Sequence, residues 1–167
     1  MNYCYLDTLI GTLLLAGDQT AIRYISFPKN GRAQDAQPGW TAGSTVPLEE
    51  AARQLREYFA GRRRSFELPL APAGTAFQKK VWSRLQEIPY GETISYGELA
   101  ARVGNSKASR AVGAANGRNP IPIVIPCHRV IGANGKLTGF GGGLPMKESL
   151  LALERKTLRG DGAFAGR

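Results

Sequence analysis

The chain has 167 residues, 43% of them hydrophobic, enough to bury a real core in one domain or two small ones. It contains no run of about 18 apolar residues, which excludes a membrane-spanning helix, and Asp7 close behind Tyr5-Leu6 breaks the basic-then-apolar order of a signal peptide. Lys and Arg number 22 against 13 Asp and Glu, a net charge of +9 that points to an anionic partner. Two distant cysteines, Cys4 and Cys127, make no disulfide framework, and with a single histidine they offer no metal-ligand spacing. We therefore expect no cofactor, no metal, no membrane contact and a reducing, cytoplasmic setting.

The predicted elements begin with strands. Tyr3 to Leu6, Thr12 to Ala16 and Ile22 to Phe27 alternate or run apolar, and Gly11, Pro28 and the Asn30-Gly31 turn signal punctuate them. Residues 34–45 are polar and read as a loop. Pro47 suits the start of a helix whose apolar face is Leu48, Ala51, Ala52, Leu55, Tyr58 and Phe59, with Gly61 as its stop. Arg62-Arg63-Arg64 fits a solvated turn at least as well as a nucleic-acid contact. The proline-bearing stretch 68–74 is a linker.

Helices dominate beyond it. Thr75 and Gln78 form a capping box, after which Phe77, Val81, Leu85 and Ile88 line one face. Ser95 and Glu98 repeat that signature and open a short helix ending at Gly104. Ser106 is the expected cap of a further helix running to about Gly117, so that the pair forms a helix-turn-helix. Residues 121–131 read as a buried strand, 132–143 as a Gly-rich hairpin or wing, and Met146, Leu150, Leu151 and Leu153 as the apolar face of a last helix. The tail from Gly160 is expected to be disordered. The fold class is α+β: a small N-terminal antiparallel sheet with a helix, residues 1–73, then a winged helix-turn-helix-like domain, residues 74–159.

Charge follows that division. Residues 1–74 hold 8 Lys and Arg against 7 Asp and Glu, a net of +1, whereas residues 75–167 hold 14 against 6, a net of +8. Between Glu98 and Glu148 there is no carboxylate, yet Arg102, Lys107, Arg110, Arg118, Arg129, Lys136 and Lys147 fall there. One-signed stretches of this kind suit a polyanion such as nucleic acid. The helix over 109–117 offers Arg110 and Asn116 but few other long polar side chains for reading base edges. Its Ser109, Ala111 and Gly113 instead allow close backbone approach, as sequence-independent binding in a narrow groove requires.

The chemistry centres on Pro126-Cys127-His128-Arg129. A thiol attacks as thiolate, and a nearby imidazole is the usual way to generate one. Taken alone, the pair more often marks a buried cysteine acting as a small hydrophobe. If the segment is extended, neighbouring side chains face opposite ways, so a water must bridge His128 to Cys127.

Ordered motifs over residues 74–154 resemble the O6-alkylguanine-DNA alkyltransferases: 74–78, Ile88-Pro89-Tyr90-Gly91, Ser95-Tyr96-Gly97, Ser109-Arg110-Ala111-Val112-Gly113, Asn119-Pro120, 125–132, 139–143 and 147–154. The resemblance implies an RNase H-like first domain. It also implies minor-groove binding of double-stranded DNA as a monomer, extrusion of an alkylated guanine, and one-turnover transfer of its alkyl group to Cys127. In that reading His128 takes the thiol proton, Glu154 orients His128, Tyr96 rotates a phosphate and protonates guanine, and Asn119 braces the turn. Arg110 fills the gap in the stack, with Ser109, Ala111, Gly113 and Arg118 along the DNA, and Phe140, Gly141, Pro122 and Val130 shape the base pocket. Alternatives stay open at several positions. Tyr96 also fits a core residue, Glu154 a helix-end charge, Asn119 a turn former before Pro120, and Arg129 a structural ion pair. Phe140 stands where the family commonly has tyrosine. A non-catalytic DNA-binding regulator explains the basic half but not the Cys-His pair; a thiol hydrolase explains the reverse.

Overall fold

Two seven-residue strands, β1 (Asn2–Thr8) and β2 (Gly11–Gly17), form a hairpin whose register pairs Tyr3 with Ala16 and Tyr5 with Leu14. A third, β3 (Ile22–Ser26), pairs antiparallel with β2, and a two-residue β4 (Thr41–Ala42) adds to β1 in parallel, giving the order β3-β2-β1-β4. The expected antiparallel sheet thus gains one parallel edge strand from a segment read as loop. These features come from a computed structural model, which describes residues 1–132, 135 and 143–160.

Leu13 to Ala16 form a continuous apolar run because β2 is central and covered on both faces. Leu13 and Leu15 join the main core, while the tyrosines opposite Leu14 and Ala16 shield the other side. On the core face lies α1 (Val46–Phe59). Thr45 caps it by accepting from Leu48 N, Pro47 sits in its first turn, and all six residues of its expected apolar face are buried. Asn30 and Gly31 both have positive φ in the turn that brings Lys29 against Arg32. The linker is more ordered than its prolines suggest: Ile22 N donates to Pro69 O and Ala71 N to Ile22 O, so the chain runs along β3. Further along that edge Ile25 N donates to Pro120 O, tying the sheet to the second half.

That half starts with α2 (Ala76–Leu85), whose capping box is formed on both sides. Its buried residues are Val81, Trp82 and Leu85, followed by Ile88, but Phe77 is 38% exposed. Trp82 takes the core place instead, and its indole N–H donates to Ala115 O. The short β5 (Ile94–Ser95) leads into α3 (Tyr96–Arg102), capped by Ser95, and a turn follows before α4 (Ser109–Gly117). Ser106 does not cap α4: the N-cap position is Ala108, with no side-chain hydrogen bond.

The larger correction concerns residues 121–131. Ile121 to Pro126 form an irregular loop, in which Ile123 has a φ of 74°, and Cys127–Arg129 is one turn of 3-10 helix. Only β6 (Val130–Ile131) is strand, paired in parallel with β5. Asn119 explains the loop. Its Nδ2 donates to Ile125 O at 2.7 Å and its Oδ1 accepts from Ile121 N at 2.9 Å, so local hydrogen bonds replace a ladder. The last helix, α5 (Leu144–Leu158), packs Leu150 and Leu151 into the core. The expected wing lies mostly outside the described residues, as does the tail beyond Gly160. No helix among the described residues is long and apolar enough to cross a membrane.

Candidate active site and nucleic-acid face

The 3-10 turn decides what Cys127 and His128 face. Successive residues of such a turn point about 120° apart, so the two side chains diverge although they are neighbours. Cys127 lies at the base of a cleft of about 670 Å³ between the two halves of the chain. Tyr24 to Gly31 form one wall, and Asn116 to Pro120 with Pro122 another. Gly143, Pro145 and Met146 close the side from which α5 begins. The thiol is only 4% exposed. Burial pushes its pKa up to about 11; a hydrogen bond from the Asn119 side chain and the nearby Lys147 charge oppose this only in part.

His128 turns the other way, into the interior, and is fully buried. Its Nε2 lies 2.6 Å from Glu154 Oε2. An ionised carboxylate only accepts, so Nε2 carries the proton and Nδ1 holds the lone pair. Nδ1 is buried without a hydrogen-bond partner among the described residues. Burial holds His128 below its ordinary pKa, outweighing the pull of Glu154, so the imidazole is a neutral base at neutral pH.

Glu154 is a hub rather than a helix-end surface charge. Oε1 accepts from Gly91 N and Arg129 Nε, each at 3.0 Å. Oε2 accepts from Tyr58 OH at 2.7 Å and from the second guanidinium nitrogen of Arg129 at 3.0 Å, besides His128. Burial alone would raise this carboxyl, but His128 and Arg129 together hold it well below the usual carboxylate range. Arg129 also donates to Ile88 O at 2.8 Å, so it is the structural ion pair its position suggested. Gly91 fits here for a steric reason: at φ 79° its added Cβ would sit 2.0 Å from Leu158 Cδ1.

Tyr96 begins α3, and its ring packs against Gly113 of α4, where an added Cβ would lie 3.7 Å from Tyr96 Cδ1. Lys147 Nζ approaches the same ring at 5.8 Å and donates to Val130 O at 2.5 Å. This lysine is buried, and burial lowers its pKa to about 8, with the Cys127 charge opposing. Sequence reasoning placed it in the basic stretch and in the 147–154 motif, with no role in the site. Pro122 lines the cleft. Val130 is wholly buried in β6 and is not among the cleft-lining residues described. Phe140 and Gly141 lie outside the described residues. Ser109, Arg110 and Ala111 are exposed on α4, and Arg118 is exposed beside the cleft. No group of His, Cys, Asp and Glu able to hold a metal ion occurs among the described residues.

Comparison with known proteins fits this site. Residues 76–156 match the 6-O-methylguanine DNA methyltransferase DNA-binding domain, and residues 1–72 match the ribonuclease-like domain of the same family. The chain belongs to this family, the methylated-DNA–protein-cysteine methyltransferases. A relative of that name from Methanosarcina acetivorans is 54% identical, covering 92% of this chain and 98% of its own. One from Mycolicibacterium paratuberculosis is 49% identical, covering 93% of both. Among solved structures, Mycobacterium tuberculosis OGT in complex with DNA is 46% identical over 94% of both chains, with a TM-score of 0.86.

Proposed function

We propose that the protein repairs DNA by moving the alkyl group of an O6-alkylguanine onto Cys127, once per molecule. The observation that carries this is the burial of Cys127 at the base of a cleft, with the His128–Glu154 pair beside it. A thiol with a pKa near 11 is almost wholly protonated at neutral pH, so it must lose its proton during the attack. His128 Nδ1 is the acceptor for that proton, through a bridging water, and Glu154 stabilises the imidazolium that results. The Sγ–alkyl bond forms as the alkyl–O6 bond breaks, and the Tyr96 phenol supplies the proton the departing guanine needs. Asn119 holds the loop that aims the thiol.

Double-stranded DNA reaches this thiol only by extruding the damaged base. In our reading α4 enters the minor groove, Arg110 takes the vacated place, and Ser109, Ala111, Gly113 and Arg118 lie along the backbone. Residues 1–73 and 74–159 act as two domains of a monomer with no cofactor, and the reduced thiol suits the cytoplasm. A thioether carries no acyl centre for water to attack, so the alkylated protein is spent.

Incubating the protein with excess duplex carrying O6-methylguanine and weighing the intact chain tests this reading. One methyl on Cys127 per chain is expected, and none on a folded Cys127→Ala protein. More than one methyl removed per chain, without an added acceptor, would overturn it.

A further inference from the structure

Besides walling the cleft, the first half of the chain reaches the His128–Glu154 pair through a hydroxyl. Tyr58 lies on α1, 96 residues from Glu154 in sequence, and is wholly buried, with its OH 2.7 Å from Glu154 Oε2. The same oxygen faces His128 at 2.6 Å and Arg129 at 3.0 Å. A carboxylate oxygen has two lone pairs, so three donors compete for it. We infer that Tyr58 is a positioning residue that sets the basicity of the Glu154–His128 pair, making the N-terminal half part of the proton-accepting machinery. The inference rests on the proposed role of His128 as base.

The physical argument has two parts. Burial, then the Glu154 charge, keeps the Tyr58 phenol well above its ordinary pKa, so it stays a neutral donor at every working pH. A donor that takes one lone pair weakens the carboxylate's hold on an imidazolium and fixes the carboxylate against rotation. Other charged or titratable groups face this pair from each packed element. Arg129 adjoins His128, Lys147 lies on α5 and Cys127 on the 3-10 turn, while Tyr90 and the Arg64 guanidinium above its ring flank Tyr58. All of these groups are still present when the Tyr58 hydroxyl alone is removed.

His128 is the only histidine, so its ring nitrogens give unique NMR signals in the whole protein. In Tyr58→Phe, Glu154 should hold the imidazolium more strongly. The His128 titration and the acid limb of single-turnover methyl transfer should both move up by about 0.5 to 1 pH unit, and the plateau rate should fall several-fold. Tyr58→Met serves if the phenylalanine variant does not fold. Leu55→Ala weakens the same helix without touching the hydroxyl, and both readouts should keep their wild-type pH dependence. Wild-type transfer with an unshifted Tyr58→Phe titration would overturn this inference and leave the function standing. A wild-type protein that accepts no methyl would overturn the function first.

Discussion

Burying Cys127 makes it a poor resting nucleophile, and that separates this site from one that stores a thiolate. With a pKa near 11, the thiol's reactivity toward a small neutral alkylator should climb about tenfold per pH unit between roughly pH 7 and 10. A Cys4→Ser background makes the measurement specific, and a plateau near neutrality would show a preformed thiolate. The Cys-His pair was legible in the sequence because His128 is unique, but the geometry was not. An extended segment and a 3-10 turn both separate neighbouring side chains, so the proposed water bridge rests on the turn and not on the expected strand. Tyr58 was hidden for a plainer cause: a tyrosine at helical spacing reads as core, and its hydroxyl partner lies on the last helix.

The residues of α4 divide between core and surface. Val112 and Ala115 are buried and Gly113 faces the Tyr96 ring, while Ser109, Arg110 and Ala111 remain exposed. A cap on Ser106 was expected from residue type alone; the turn after α3 instead starts the helix at Ser109, where no side chain caps it. The exposed arginine yields a prediction about this element. Arg110→Ala should slow transfer from duplex DNA far more than reaction with free O6-benzylguanine, which needs no extrusion from a stack. Single-turnover rates on both substrates check it, and equal losses would give Arg110 a role in the fold instead.

Seen as a whole, the molecule places two of its basic-stretch cations inside. Of the seven in the carboxylate-free stretch, Arg129 and Lys147 are buried and Arg102 pairs with Glu98 on its own helix, while Lys136 is outside the described residues. Lys107, Arg110 and Arg118 are the exposed remainder among the described residues. The charge of this stretch therefore overstates its exposed positive surface, because sequence cannot tell a buried cation from a solvated one. The same close packing bears on the product. Cys127 is only 4% exposed at the cleft base, so an added methyl crowds its immediate neighbours and the alkylated chain should be about 1–3 kcal/mol less stable than the free one. Denaturant melts of the two forms check this, and coincident melts would mean the cleft absorbs the methyl freely.

The bond from the Trp82 indole to Ala115 O gives the protein an optical gauge of its own. Trp40 and Trp82 are the tryptophans that red-edge excitation selects, and Trp40, half-exposed against Tyr24, can be silenced by Trp40→Phe. What remains is a buried indole clamped to the backbone of α4, the helix proposed to meet DNA, so its colour tracks whether that helix stays seated. A blue emission that persists through DNA binding would show α4 docking as a rigid unit, while a red shift confined to the alkylated protein would time the moment at which the spent molecule loosens.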